Sequence, residues 1–245
     1  MKPNLLIFGG LVVVPFAANA QSVWNTNGGS WNTGTNWTPN GVPDSTTAVA
    51  SFVRDFSATP TITLDNAAGF TVNKLQFDDT GGSSDVSMTI NAGTGGTLTF
   101  GGTTPTADIR ATTVTINPAV TLGTGFNKIG GGTLVLNGTV TGWTSTILNS
   151  VTAGTLTAGS GNGQSFTWAG VSKTTGAGTV QYNSVSAGNF TLPSSYSVGA
   201  GGITLNAAGS YDGTAGFAKT GSGTLTLGSA TTNVNGTFDT TGTLN

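Results

Sequence analysis

Short alternations of apolar and polar residues run the length of the chain. They read Thr61-Ile62-Thr63-Leu64, Val86-Ser87-Met88-Thr89-Ile90, Thr97-Leu98-Thr99-Phe100, Val114-Thr115-Ile116, Val180-Gln181-Tyr182, Ile203-Thr204-Leu205 and Leu225-Thr226-Leu227, each bounded by Gly, Asn or Asp. A period of two sends successive side chains to opposite faces, so each segment predicts a short strand with one buried and one exposed face. Threonine suits the outer face because its branched Cβ favours extended backbone while its hydroxyl meets water. No window carries a helical period, and the 40 glycines leave little room for a helix.

A longer regularity lies above the alternation. Phe126-Asn127-Lys128-Ile129-Gly130-Gly131-Gly132-Thr133-Leu134-Val135-Leu136 recurs as Phe217-Ala218-Lys219-Thr220-Gly221-Ser222-Gly223-Thr224-Leu225-Thr226-Leu227, which gives F-x-K-x-G-x-G-T-L-x-L twice. Looser copies of its Gly-Thr-apolar centre stand at Thr97, Thr155, Thr179 and Thr243, and most steps between these anchors are near one or two units of about 22 residues. Such a unit is too short for the four strands of a propeller blade but holds one coil of two or three strands, which must stack on its neighbours to bury an apolar side. The expected architecture is therefore an all-β parallel β-helix, a solenoid of about ten coils and on the order of 45 Å long at about 4.8 Å per coil. Tandem glycines supply the corners. Lys128 and Lys219, with a looser counterpart at Lys173, precede such corners and are expected to face solvent.

The K-x-G-x-G-T-L-x-L pair resembles the repeats of autotransporter-associated β-strand repeat proteins from bacteria with an outer membrane, and Ala153-Gly154-Thr155-Leu156 is similar to that family's following A-G-T-L element. A second likeness is Val23-Trp24-Asn25, Trp31-Asn32, Asn36-Trp37 and Gly41-Val42-Pro43-Asp44, which looks like the Trp-rich leader that precedes the first coils in such proteins. The resemblance implies a right-handed parallel β-helix, a passenger-like exported segment and a role at the cell surface, often adhesive. It implies no enzymatic site. The sequence departs from a full autotransporter in showing no series of roughly 10-residue alternating strands with aromatic girdles. It is expected to be either a truncated chain or a short stand-alone relative.

Met1 to Ala20 reads as a secretory signal peptide: Lys2, an apolar run from Leu5 to Phe16, and Ala18-Asn19-Ala20 before Gln21. The apolar run is shorter than the roughly 20 residues that span a bilayer. The expected division is 1–20 signal peptide, 21–60 Trp-rich N-terminal cap and first coil, and 61–245 β-helix repeats. Export places the protein at the cell surface or outside the cell, with the periplasm as the other destination.

Composition then removes chemistry. Charged residues make up 7% of the chain, against roughly 25% in an ordinary domain. There is no His and no Cys, and all nine acids are Asp. Ser-His and Cys-His nucleophile pairs, an imidazole base and a zinc site of the usual type are excluded, and no cofactor is expected. A net charge of -2 offers nothing to nucleic acid, and no amphipathic helix is present for membrane insertion. Four Asn-x-Thr sequons, at Asn36, Asn137, Asn189 and Asn235, arise by chance in so Asn- and Thr-rich a chain.

Two groups of residues are candidates for a site. Trp24, Trp31 and Trp37 lie among Asn, Thr and Gly; as exposed rings they would stack on sugars, and as a cap they would cover the open end of the first coil. Asp78, Asp79 and Asp85 could hydrolyse a glycosidic bond or hold calcium, with Lys74 or Arg54 as the base of a lyase. Against convergence, neighbouring strand residues point to opposite faces, and the tandem G-G-x-G-x-D repetition of a calcium-binding roll is missing. A solvated turn is the simpler account of these acids. The expected function is an exported, non-enzymatic structural or adhesive module whose partner is a cell-surface or extracellular polysaccharide or a host surface. The alternative is a polysaccharide-binding or polysaccharide-cleaving β-helix protein.

Overall fold

A computed structural model describes residues 21–158, apart from 82–84, 111, 124 and 142–148, and after them the strand backbones between Phe166 and Thr240. The architecture is all-β with parallel sheets, and the described residues contain no helix beyond a single 3-10 turn at Gly34–Asn36. Each of the seven alternating segments named above lies on or overlaps a strand, with Val86, Ser87 and Thr97 just outside theirs.

Three strand sets are visited in rotation. The first sheet has eleven strands: Gln21–Trp24, Val49–Arg54, Lys74–Asp79, Thr106–Ile109, Asn127–Ile129, Asn149–Val151, Ser172–Thr174, Ser195–Ser197, Phe217–Thr220 and Phe238–Thr240 in chain order, with Trp37–Thr38 at its N-terminal edge. The second has nine: Gly28–Ser30, Thr61–Leu64, Met88–Ala92, Thr113–Ile116, Thr133–Leu136, Thr155–Ala158, Thr179–Asn183, Ile203–Asn206 and Leu225–Gly228. A third, four-stranded sheet holds Phe70–Val72, Leu98–Phe100, Val120–Leu122 and Val140–Thr141, and a fourth continues the rotation from Phe166–Thr167 to Thr232–Val234. From Gln21 on, a strand pairs in parallel with the one three places later, with two departures among the described strands: Trp37–Thr38 runs antiparallel to Gln21–Trp24, and the third sheet ends at Val140–Thr141, the fourth starting anew at Phe166–Thr167. After Thr106 the first-sheet strands begin every 21 to 23 residues, which is the period read from the anchor threonines.

Register shows what the period counts. Leu134, Leu156, Val180, Ile203 and Leu225 form one row of the second sheet, so the apolar halves of the two motif copies are structurally equivalent. Thr133, Thr155 and Thr179 align beside them. Thr97 does not belong to this series, because it precedes Leu98–Phe100 of the third sheet. Its Gly-Thr-Leu triplet matches by composition, not by place. The Thr243 copy lies outside the described residues.

Inward positions from the first three sheets meet in one apolar cluster. The first contributes Phe52, Leu75, Phe77 and Ile109, the second Ile62, Ile90, Ile116 and Leu136, and the third Phe70, Val72, Leu98 and Leu122. Parallel register stacks like on like, as in the row Ile62, Ile90, Ile116, Leu136. Each such side chain contributes about 1.5–3 kcal/mol when fully buried. With no disulfide available, this stacking and the ladder hydrogen bonds carry the stability.

Candidate functional site

The outer surface is built from the polar half of the alternation. In the second sheet Thr61, Thr89 and Thr115 stand in register, and beside them Asn137 Nδ2 donates to Asn117 Oδ1 at 2.8 Å and Asn117 Nδ2 to Asn91 Oδ1 at 2.6 Å. The third sheet carries a row of Thr71, Thr99, Thr121 and Thr141, the last two with hydroxyls 3.1 Å apart. These rows repeat hydroxyl and amide groups at the strand spacing, about 4.8 Å. Such a surface can make many weak hydrogen bonds at once.

The three N-terminal tryptophans are not on that surface. Trp24, Trp31 and Trp37 are all fully buried, and this corrects the stacking role. Trp37 meets Trp24 and Trp31 edge-on with ring centroids 4.9 Å apart in both cases, and Phe52 lies within 5.7 Å of all three. Trp37 Nε1 donates to the Trp31 carbonyl at 2.8 Å and Trp31 Nε1 to Pro43 at 3.2 Å. Every ring is enclosed by protein, so none is presented to a sugar. They form the core at the N-terminal end, where Trp37–Thr38 borders the first sheet.

The acids part company as strand geometry requires. On Lys74–Asp79 the burial alternates, so Asp79 is buried while Asp78 lies on the other face, and Asp85 is exposed. No group of three acids that could hold a metal occurs among the described residues. Asp79 is no solvated turn residue. Its Oδ1 accepts from the backbone N–H of Phe56 at 3.2 Å and of Gly81 at 3.3 Å, and Oδ2 from Val86 at 2.8 Å. Burial works to raise its pKa, but the Val86, Phe56 and Gly81 N–H groups outweigh it and hold the carboxyl below the usual carboxylate range.

Asp78 belongs to a different group, on the outer side of the first sheet. Lys74 Nζ lies 3.1 Å from Asp108 Oδ2, Arg110 grips Asp108 through Nε and Nη2 at 3.2 and 3.0 Å, and Gln76 donates to it at 3.3 Å; Asp78 is 3.9 Å from Arg110. Burial works to raise the Asp108 pKa and the Arg110, Lys74 and Gln76 contacts bring it down below the ordinary value. Lys74 is thus tied to an acid that the alternation did not single out, and Arg54 sits over the Phe56 ring at 5.3 Å. Cross-strand register creates this cluster by setting Gln76 beside Asp108 and Lys74 beside Thr106.

Lys128 is the largest departure from expectation. It is fully buried, not solvent-facing, and stands in the interior row Leu75, Ala107, Lys128, Val151. Its Nζ donates to the carbonyl oxygens of Gly132 at 2.6 Å, Gly130 at 2.7 Å, and Ile129 and Ala153 at 3.1 Å. Burial pushes the ammonium pKa down to about 8, while the charge of Asp108 acts in the opposite sense. In the first motif copy the carbonyls one, two and four places after the lysine turn inward at the glycine corner, and Ala153 of the A-G-T-L segment on the next cycle closes the fourth side. A signal was present in the sequence, because Phe126 lies two residues before Lys128 and is itself buried, and a period of two puts both on one face. The side chains of Lys173 and Lys219 lie outside the described residues. By register Lys219 pairs with Tyr196 and Lys173 with Ser150, so neither backbone position falls in the Lys128 row.

No family model matches this chain, and no curated protein or solved structure matches it.

Proposed function

We propose that the chain is a right-handed parallel β-helix of about ten coils that serves as an exported, non-enzymatic structural or adhesive module at the cell surface or outside the cell. The observation that carries this reading is the outer face of the second sheet, where threonine and asparagine rows repeat without charge over successive cycles. The three-strand rotation supports the β-helix, and the likeness of the K-x-G-x-G-T-L-x-L pair to autotransporter-associated β-strand repeats supports the right hand and the surface role. Each hydroxyl or amide contact is weak. Many presented at fixed spacing on a stiff scaffold bind with the gain of multivalency. A polysaccharide, with hydroxyls at its own regular spacing, is the partner that suits such a face.

The test is a pull-down of the chain from residue 21 onward on insoluble neutral polysaccharides and on whole cells, beside a variant with Thr61, Thr89 and Thr115 all changed to Val. Retention should drop strongly for the variant while its β-type circular dichroism stays unchanged. Equal retention of both would sink the reading. N-terminal sequencing of the exported protein should begin at Gln21.

A further inference from the structure

The Lys128 corner has the composition of an ion site. Four backbone carbonyl oxygens, from Ile129, Gly130, Gly132 and Ala153, converge on one point at 2.6 to 3.1 Å, and the occupant is a fully buried cationic nitrogen. An ammonium has three protons and no acceptor, so with four oxygens it is over-coordinated, as a spherical cation in a carbonyl ring would be. The backbone is shaped for this: Gly130 and Gly154 hold φ of +78° and +66°, and a Cβ on Gly154 would lie 2.6 Å from Nζ. Gly131 at the head of the turn is exposed, so the cage lies just beneath the surface.

We propose that this carbonyl cage is a binding site for one monovalent cation of alkali or ammonium type, which the chain fills with its own Lys128 side chain. The charge latches two successive cycles together, since three of the oxygens belong to the 129–132 turn and the fourth to Ala153 of the next cycle. Removing the side chain while leaving the oxygens in place opens the site to a free ion. Among the described residues, Asp108 of the preceding cycle is the charged group acting on the position, and it favours a cation there.

The experiment compares thermal unfolding of the wild-type chain and Lys128→Ala in choline chloride, sodium chloride, potassium chloride and ammonium chloride at equal ionic strength. The variant should unfold at a lower temperature in choline and recover with potassium or ammonium along a saturating curve, as ligand linkage requires, while the wild type ignores the choice of cation. An equal response to all four salts, or the same response in both proteins, would overturn the site. Where Lys128→Ala does not fold in any salt, the wild type decides: nitrogen NMR at pH 7 should show Lys128 as a charged ammonium whose protons exchange slowly and couple to the four carbonyls. A neutral amine, or an ammonium exchanging freely with water, would overturn it.

Discussion

Lys128 and Gly154 share one corner across two successive cycles of the chain: a Cβ at 154 would lie 2.6 Å from the Lys128 ammonium and nearer still to the Gly132 and Gly130 carbonyl oxygens that accept from it. Gly154 also holds a positive φ of +66°. Gly154→Ala should therefore destabilise the protein by about 1–3 kcal/mol through backbone strain together with a clash against the Gly132 and Gly130 carbonyls and the ammonium they hold. Gly131→Ala, at an exposed position where the added carbon comes no nearer than 3.9 Å to the Arg110 carbonyl, should be close to neutral. Denaturant unfolding of the two variants measures the contrast.

The buried ammonium sets an alkaline dependence with an unusual sign. Its folded pKa, about 8, lies below the ordinary lysine value of 10.5. Between those values the unfolded chain holds a proton that the folded chain has released, so stability rises with pH across that window and levels off above it. The shift corresponds to about 3 kcal/mol across the window. Lys128→Met should remove the rise, and the difference between the two pH profiles isolates the contribution of this one group.

Asp79 sets an acid dependence of ordinary sign. Its carboxyl is held below the usual range by three backbone N–H groups, so its contribution is present above the unfolded value near 3.8 and disappears as pH falls through the lower folded value. Asp79→Ala leaves the Phe56, Gly81 and Val86 donors without their acceptor and should cost roughly 1–3 kcal/mol or more at pH 7. The variant's stability should fall less steeply than the wild type's below pH 4, which acid titration of the unfolding midpoint would show.

Leu134 separates the two faces of the second sheet. It is fully buried in the row that runs from Val114 to Leu225. Leu134→Ala should cost about 2–5 kcal/mol, and Leu134→Asp several kcal/mol more by burying an unpaired charge. Thr115→Ala, on the outer face, should stay within about 0.5 kcal/mol. Tolerance of Leu134→Asp would mean that the alternation is inverted in this strand.

Much of this was legible along the chain because it depends on local pattern. Thr61–Leu64, Thr113–Ile116 and Leu225–Gly228 announce themselves through a period of two, and the spacing of Thr133, Thr155 and Thr179 counts the rotation through three strands. The Gly96-Thr97-Leu98 triplet misleads for the same reason: a short motif of common residues carries no information about which sheet receives it. Asp78 and Asp79 could be separated by strand geometry alone, but not the fact that Asp79 would gather three N–H groups.

What the sequence determined by itself is the all-β character, the two-residue alternation and the repeat of about 22 residues, since each is written in neighbours or in a regular count. Tertiary structure decided which polar and aromatic side chains go inside. Trp24, Trp31 and Trp37 are buried because they enclose one another together with Phe52, and Asp108 is covered by Lys74 and Arg110. Lys128 is enclosed where Ala153, on the next cycle, joins Ile129, Gly130 and Gly132 in accepting hydrogen bonds from its ammonium, contacts that offset part of the cost of burying the charge. Such burial depends on partners brought alongside by stacking, and residues more than 20 positions apart meet only when the cycles pair.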